Sequence, residues 1–278
     1  YPYEKTTIVQ GFAGMEYPMM VNDESYADTL FSRFVAEHEI AHTWFPFYMG
    51  INESRYAFMD EGWATALENL IGTADLGKER ATGVFQQFRV NPWINNPSST
   101  LDLPIISPAD GLSPSSYGHN AYGKAALGYL ALKDLLGDDA FRKGLHAFIE
   151  RWHGKHPIPW DMFNTFNDVS GQNLNWFWNK WYFTNSYIDL AVTAVTRTGS
   201  GYAVSIENVG GMPAPVDLLA SFADGSSEVF HQSPAIWAAD QRRASVSIST
   251  RKVLQSLVLN GGIWMDADTT NNRWATRP

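Results

Sequence analysis

The sequence predicts an α+β fold: a mainly helical domain over residues 1–186, followed by a small all-β sandwich over 187–278. Three observations lead there. Residues 25–186 are rich in Ala, Leu, Phe and Trp at helical spacing. From about residue 187 the texture changes to Val, Ser, Thr, Gly and Asp with period-two alternation. Turn signals such as Thr198-Gly199-Ser200-Gly201 and Asp224-Gly225 punctuate this second half, as in a sandwich of short strands.

The elements follow in order. Residues 8–20 hold short apolar runs broken by Gly11 and Gly14, which read as a strand followed by a turn. Residues 27–45 place Leu30, Phe31, Phe34, Val35, Ile40, Ala41 and Trp44 at helix-like spacing. Pro46 ends that helix, because proline cannot continue the backbone ladder. Residues 60–71 form a second helix, with Trp63, Ala64, Leu67 and Leu70 on one side. Residues 91–114 carry five prolines and read as a long surface loop. Residues 122–136 form a helix ended by Gly137, and Asp138 or Asp139 caps the next, which runs through Phe141, Leu145, Phe148, Ile149 and Trp152. Residues 161–169 and 174–184 continue the helical array. Trp152, Trp160, Trp176, Trp178 and Trp181 read as packing between helices rather than as a carbohydrate platform. Strands are expected at 190–197, 202–207, 216–222, 227–231, 244–249 and 253–260. The acidic run Asp266-Ala267-Asp268 with Asn271-Asn272 lacks a full calcium-loop pattern and reads as a solvated turn.

Composition narrows the function. At 278 residues and 45% hydrophobic, the chain can bury a sizeable core. A net charge of −9 argues against a phosphate-binding surface, so nucleic acid is not an expected partner. No stretch is long and apolar enough to be a transmembrane segment. With no cysteine, any metal must be held by His, Asp or Glu. The lack of cysteine fits several compartments; a periplasmic or secreted setting is favoured, with any signal upstream of Tyr1.

The decisive segment is His38-Glu39-Ile40-Ala41-His42, inside the helix expected over 27–45. Helix positions i and i+4 lie one above the other, so both imidazoles can bind one Zn²⁺ from the same face. Glu39 sits between them as a candidate general base. Two histidines can match this pattern by chance, and a third ligand decides between the readings. Eighteen residues separate His42 from Glu61, which opens the next helix within Asp60-Glu61-Gly62-Trp63-Ala64. An antiparallel neighbour helix would return Glu61 beside the histidines, and three protein ligands leave the fourth position open, as catalytic zinc requires.

These motifs and their spacing resemble the gluzincin zinc metallopeptidases of the aminopeptidase N and leukotriene-hydrolase-like type. Further segments in the same order strengthen the resemblance. Gly14-Met15-Glu16-Tyr17 is similar to the family's substrate motif, with Tyr17 in place of its Asn and Ala13 in place of its leading Gly. Tyr122-Gly123-Lys124-Ala125-Ala126 resembles the motif that carries a catalytic tyrosine. The resemblance implies a thermolysin-like catalytic domain and one Zn²⁺ per chain, held by His38, His42 and Glu61. It implies Glu39 as proton carrier, Tyr122 as hydrogen-bond donor to the oxyanion, and Gly14, Met15, Glu16 and Tyr17 as substrate-binding residues. Glu16 would anchor the substrate's α-amine. Glu68, seven residues after Glu61, would hold one zinc-binding His in its tautomer.

The implied partners are peptide substrates and an N-terminal β-domain of the same protein, absent from these residues. Two alternatives remain: a thermolysin-like endopeptidase, and a zinc-retaining peptide-binding module with weak or no turnover. His119, His153, His156 and His231 have no ligand spacing and are expected on the surface or in loops.

Overall fold

Glycines break the apolar run at the start, so its strands are short. In the computed structural model, which describes residues 1–94, 102–259 and 261–276, this region holds β1 (Thr7–Gln10), β2 (Met15–Tyr17) and β3 (Met20–Asp23). They pair in the order β1-β3-β2, with β3 parallel to β1 and antiparallel to β2. The expected strand and turn are therefore three strands, because runs of three or four residues carry too little periodicity to be separated. Alternation along β2 buries Glu16 and turns Met15 and Tyr17 outward.

Helix α1 (Thr29–Ala41) starts where Asp28 accepts the Leu30 amide hydrogen. It buries Phe34, His38, Glu39 and Ala41. It stops four residues short of the expected end, and the chain passes through a wide turn at Thr43–Tyr48. The cause is Pro46: a residue before proline is driven out of helical geometry, and Phe45 is extended at φ −128° and ψ 106°. A single turn, α2 (Glu53–Tyr56), leads to α3 (Glu61–Leu76), which packs along α1. Next come α4 (Lys78–Phe85), a wide turn at Gln86–Val90 and the short α5 (Asn91–Ile94). Residues 95–101 of the expected long loop lie outside the described residues.

After the short α6 (Pro114–Tyr117), a wide turn at Gly118–Lys124 runs into α7 (Ala125–Leu136). Tyr122 therefore sits in a widened turn, where the spacing predicted regular helix. Gly137 ends α7 and also occupies the cap position of α8 (Asp138–Trp152). Asp138 and Asp139 are in the first turn of α8 rather than at its cap, where their charge suits the positive end of the helix. Helices α9 (Pro159–Ser170) and α10 (Asn175–Tyr182) complete the array.

Aromatic residues fill the helical core. Trp63 stacks on Tyr129 with ring centroids 3.9 Å apart, and Phe166, Trp178, Trp181 and Tyr182 close around them. Trp152 and Trp176 pack against the rim of this core, whereas Trp160 is exposed.

Strands β4 (Leu190–Thr198), β5 (Gly201–Asn208) and β8 (Arg243–Ser249) form one antiparallel sheet in the order β4-β5-β8. Strands β6 (Val216–Phe222), β7 (Ser227–Gln232), β9 (Leu254–Leu259) and β10 (Arg273–Ala275) form the other, in the order β10-β9-β6-β7. Inward residues of both sheets, among them Val204, Ile206, Leu218, Phe222 and Leu257, share one apolar cluster around Trp237. Only β10 was not expected, being three residues long. Asp266 accepts the amide hydrogens of Leu190 and Asp268, which makes the acidic run a backbone-organising turn. Among the described residues no helix is long and apolar enough to cross a membrane.

The helical array and the sandwich touch through Trp181, whose indole N–H donates to Pro213 O at 3.3 Å, and through His231. His231 Nδ1 lies 2.7 Å from Asp217 on β6, and its Nε2 lies 3.1 Å from Asp134 on α7. Burial alone would lower the His231 pKa, but the Asp217 hydrogen bond and the Asp134 charge outweigh it and raise the value. A pKa raised on folding stabilises the fold fully below the unfolded value of about 6.5 and loses that effect as pH rises through the folded value. His231→Gln is therefore expected to destabilise the protein most in acid, and not at all at alkaline pH. The difference should be at most about 1 kcal/mol, because the ring is half exposed. Urea melts at several pH values check this, and a pH-independent difference would contradict it.

Candidate active site

Packing of α1 against α3 brings three metal-binding atoms together. His38 Nε2 lies 3.1 Å from His42 Nε2 and 3.1 Å from Glu61 Oε2, and His42 Nε2 lies 3.3 Å from the same oxygen. An ion bound tetrahedrally at about 2.0–2.2 Å spaces its ligand atoms by about 3.3–3.6 Å. The three atoms lie slightly closer together than that, and all three residues are buried. Glu61 opens α3, and Glu68 lies two turns further along the same face.

The other ring nitrogens face outward to fixed acceptors. His38 Nδ1 meets Glu68 Oε2 at 3.1 Å. His42 Nδ1 meets Asp60 Oδ1 at 2.7 Å and the Phe45 carbonyl at 2.8 Å, the latter presented by the extended residue before Pro46. With protons on both Nδ1 atoms, a cation would take the place of the second proton at each Nε2. Burial opposes charge on these groups. The hydrogen bonds outweigh it, holding Glu61 well below the carboxylate range and His42 well above the imidazole range.

Glu39 faces the first strands. Gly14 makes room for it: a Cβ there would lie 2.7 Å from Glu39 Oε1. Glu39 Oε2 is buried and has no hydrogen-bond partner among the described residues. Burial pushes the Glu39 carboxyl up to about 7, against the pull of His38 and His42. Glu16 offers an oxygen within 4.8 Å of ligand atoms of Glu39 and His42, and likewise of Asp60 and Glu61. Five carboxyl groups, Glu16, Glu39, Asp60, Glu61 and Glu68, thus surround two imidazoles, and the pocket favours positive charge.

The Tyr122 hydroxyl donates to Glu61 Oε1 at 2.6 Å, and its ring lies nearly parallel to that of His38, with centroids 5.9 Å apart. Burial and the Glu61 charge raise the phenol pKa, so the hydroxyl stays a donor. The structure therefore gathers Gly14, Glu16, His38, Glu39, His42, Glu61, Glu68 and Tyr122 at one place. It does not bring in Met15 and Tyr17, which are 43% and 42% exposed on the opposite face of β2. The Tyr17 that replaces the family's Asn therefore points away from the acidic pocket.

Two neighbours escaped sequence reasoning. Asp60 precedes Glu61 directly, and its adjacency to the ligand was the available signal. Arg89 pairs with Glu68 from a wide turn that no sequence pattern announces.

The Peptidase family M1 domain matches residues 15–181, more than half of the chain. Aminopeptidase N of Lactococcus lactis subsp. lactis is 22% identical over 190 residues, covering 66% of this chain and 22% of that protein. The solved structure of Legionella pneumophila aminopeptidase A in complex with aspartic acid aligns with a TM-score of 0.62 and 20% identity, over 88% of this chain and 29% of that one. An M1 zinc metallopeptidase from Deinococcus radiodurans aligns with a TM-score of 0.51 and 19% identity, over 65% of this chain and 39% of that one. The chain thus spans well under half the length of each relative. The fold agrees with theirs, and the extent of the family match decides the assignment: the chain belongs to peptidase family M1.

Proposed function

We propose that this chain is the catalytic portion of a zinc metallopeptidase that releases residues from peptide N-termini. Residues 1–186 form the catalytic unit, and 187–278 an accessory sandwich domain. The observation that carries this reading is the convergence of His38 Nε2, His42 Nε2 and Glu61 Oε2 beside the unpartnered Glu39 carboxylate. Relatives described as zinc metallopeptidases and aminopeptidases support it.

His38, His42 and Glu61 would hold one Zn²⁺, which when bound would supply Lewis-acid polarisation of the scissile carbonyl and a water that ionises near neutral pH. Glu39 Oε2 takes the proton of the attacking water and delivers it to the departing amine nitrogen. Tyr122 turns its hydroxyl hydrogen from Glu61 Oε1 to the carbonyl oxygen as negative charge builds there. Glu16 pairs with the substrate's α-ammonium group, in a charge-assisted contact whose surroundings repel anions. Strand β2 lies at the edge of its sheet, where an extended peptide adds as a further strand.

Three outcomes test this reading. Glu39→Gln should keep zinc, measured by elemental analysis, and lower kcat/KM for aminoacyl chromophores by about 10²–10⁴. Zinc-loaded wild-type protein that cleaves no faster than this variant would sink the peptidase reading. Glu16→Ala should reduce kcat/KM for free-amine peptides by about 10–100-fold while leaving N-acetylated peptides unaffected. Equal effects on both substrates, or preferred cleavage of acetylated ones, would favour an endopeptidase. Asp60→Ala should weaken zinc binding by about 10–100-fold in chelator competition, because His42 loses its carboxylate partner.

A further inference from the structure

We propose that Arg89 is a positioning residue that ties the metal-binding half of the site to Tyr122. The inference rests on the zinc-site reading above and extends it to a residue that touches neither metal nor substrate.

The guanidinium holds both oxygens of Glu68. Nε donates to Oε1 at 3.2 Å and Nη2 to Oε2 at 2.5 Å. That same Oε2 accepts from His38 Nδ1. A two-pronged contact fixes the plane of the carboxylate, and hence the direction from which it meets the imidazole. The Glu68 side chain is only 1% exposed, so water cannot replace this clamp. The guanidinium does a second job. Its carbon lies 5.1 Å from the Phe34 ring centroid and 5.3 Å from the Tyr122 ring centroid. Arg89 thus sits against the ring whose hydroxyl meets Glu61, while its fork holds the acid that orients His38.

The backbone enforces this arrangement. Arg89 lies in the wide turn at Gln86–Val90, and Tyr122 in the one at Gly118–Lys124. The two turns touch at Gly123, where a Cβ would lie 1.7 Å from the Arg89 carbonyl oxygen. Lysine keeps the charge but has neither the fork nor the flat face. One group therefore serves two ends of the site, and the two can be measured separately.

The test uses Arg89→Met and Arg89→Lys, each alone and in a Glu68→Gln background. Zinc affinity is read by chelator competition, and kcat and KM at saturating zinc. Arg89→Met should bind zinc about 10–100-fold more weakly. It should also lose kcat about tenfold at saturating zinc, with KM nearly unchanged. Arg89→Lys should recover part of the zinc affinity but not kcat. In the Glu68→Gln background, removing Arg89 should barely change zinc affinity further. Wild-type zinc affinity in Arg89→Met, or an undiminished loss in the Glu68→Gln background, would overturn the proposal. Should Arg89→Met not fold, Arg89→Lys decides: a kcat loss unmatched in KM supports the proposal, and wild-type kcat overturns it. The affinity cycle uses zinc alone, so it stands even if the protein cleaves no peptide, a result that would remove the peptidase reading instead.

Discussion

The packing of α1 on α3 is the constraint on which the rest of the structure depends. It sets two imidazole nitrogens and one carboxylate oxygen between 3.1 and 3.3 Å apart, inside a buried pocket. Burying so many charged groups costs several kcal/mol per ion unless each has a partner. Here nearly every charge is answered: Glu61 by two histidines, Glu68 by Arg89 and His38, and Asp60 by His42. Glu39 differs, with one buried oxygen unpaired among the described residues and its pKa pushed up to about 7 by burial. An unpaired buried acceptor there suits the proton-carrying role proposed for Glu39.

Irregular backbone does the fine positioning. The turn forced by Pro46 aims the Phe45 carbonyl at His42 Nδ1. The widened turn at Gly118–Lys124 carries Tyr122 toward Glu61 and lets Gly123 meet the Arg89 backbone. Lys124, fully buried, is anchored by Asp102 at 2.5 Å and steadies that turn from behind. These departures from regular geometry lie on an otherwise regular, aromatic-filled core, as precise placement requires.

Much of this was legible in the residues. The i, i+4 histidines on an amphipathic stretch specified a helix face, and Glu61 at the start of the next apolar pattern specified the element that returns beside it. Glu68 followed from a sevenfold spacing on the same helix. The strands of the sandwich were legible because alternation buries one face, and β10 was not, because three residues carry no period. Arg89 was illegible for a different reason: its partner Glu68 lies 21 residues away and the Tyr122 ring it sits against lies on another wide turn, so only tertiary packing joins them. Tyr17 and Met15 show the limit of motif transfer. They belong to a matching segment, yet strand alternation turns them away from the pocket that Glu16 enters.

The central claim is that α1 and α3 together build one zinc site. Diffraction from zinc-loaded crystals, recorded on both sides of the zinc absorption edge, tests it most directly. The account predicts a single anomalous peak bonded to His38 Nε2, His42 Nε2 and a Glu61 oxygen, with Glu68 and Asp60 still on the Nδ1 atoms. A peak elsewhere, or imidazoles bonded through Nδ1, would contradict it.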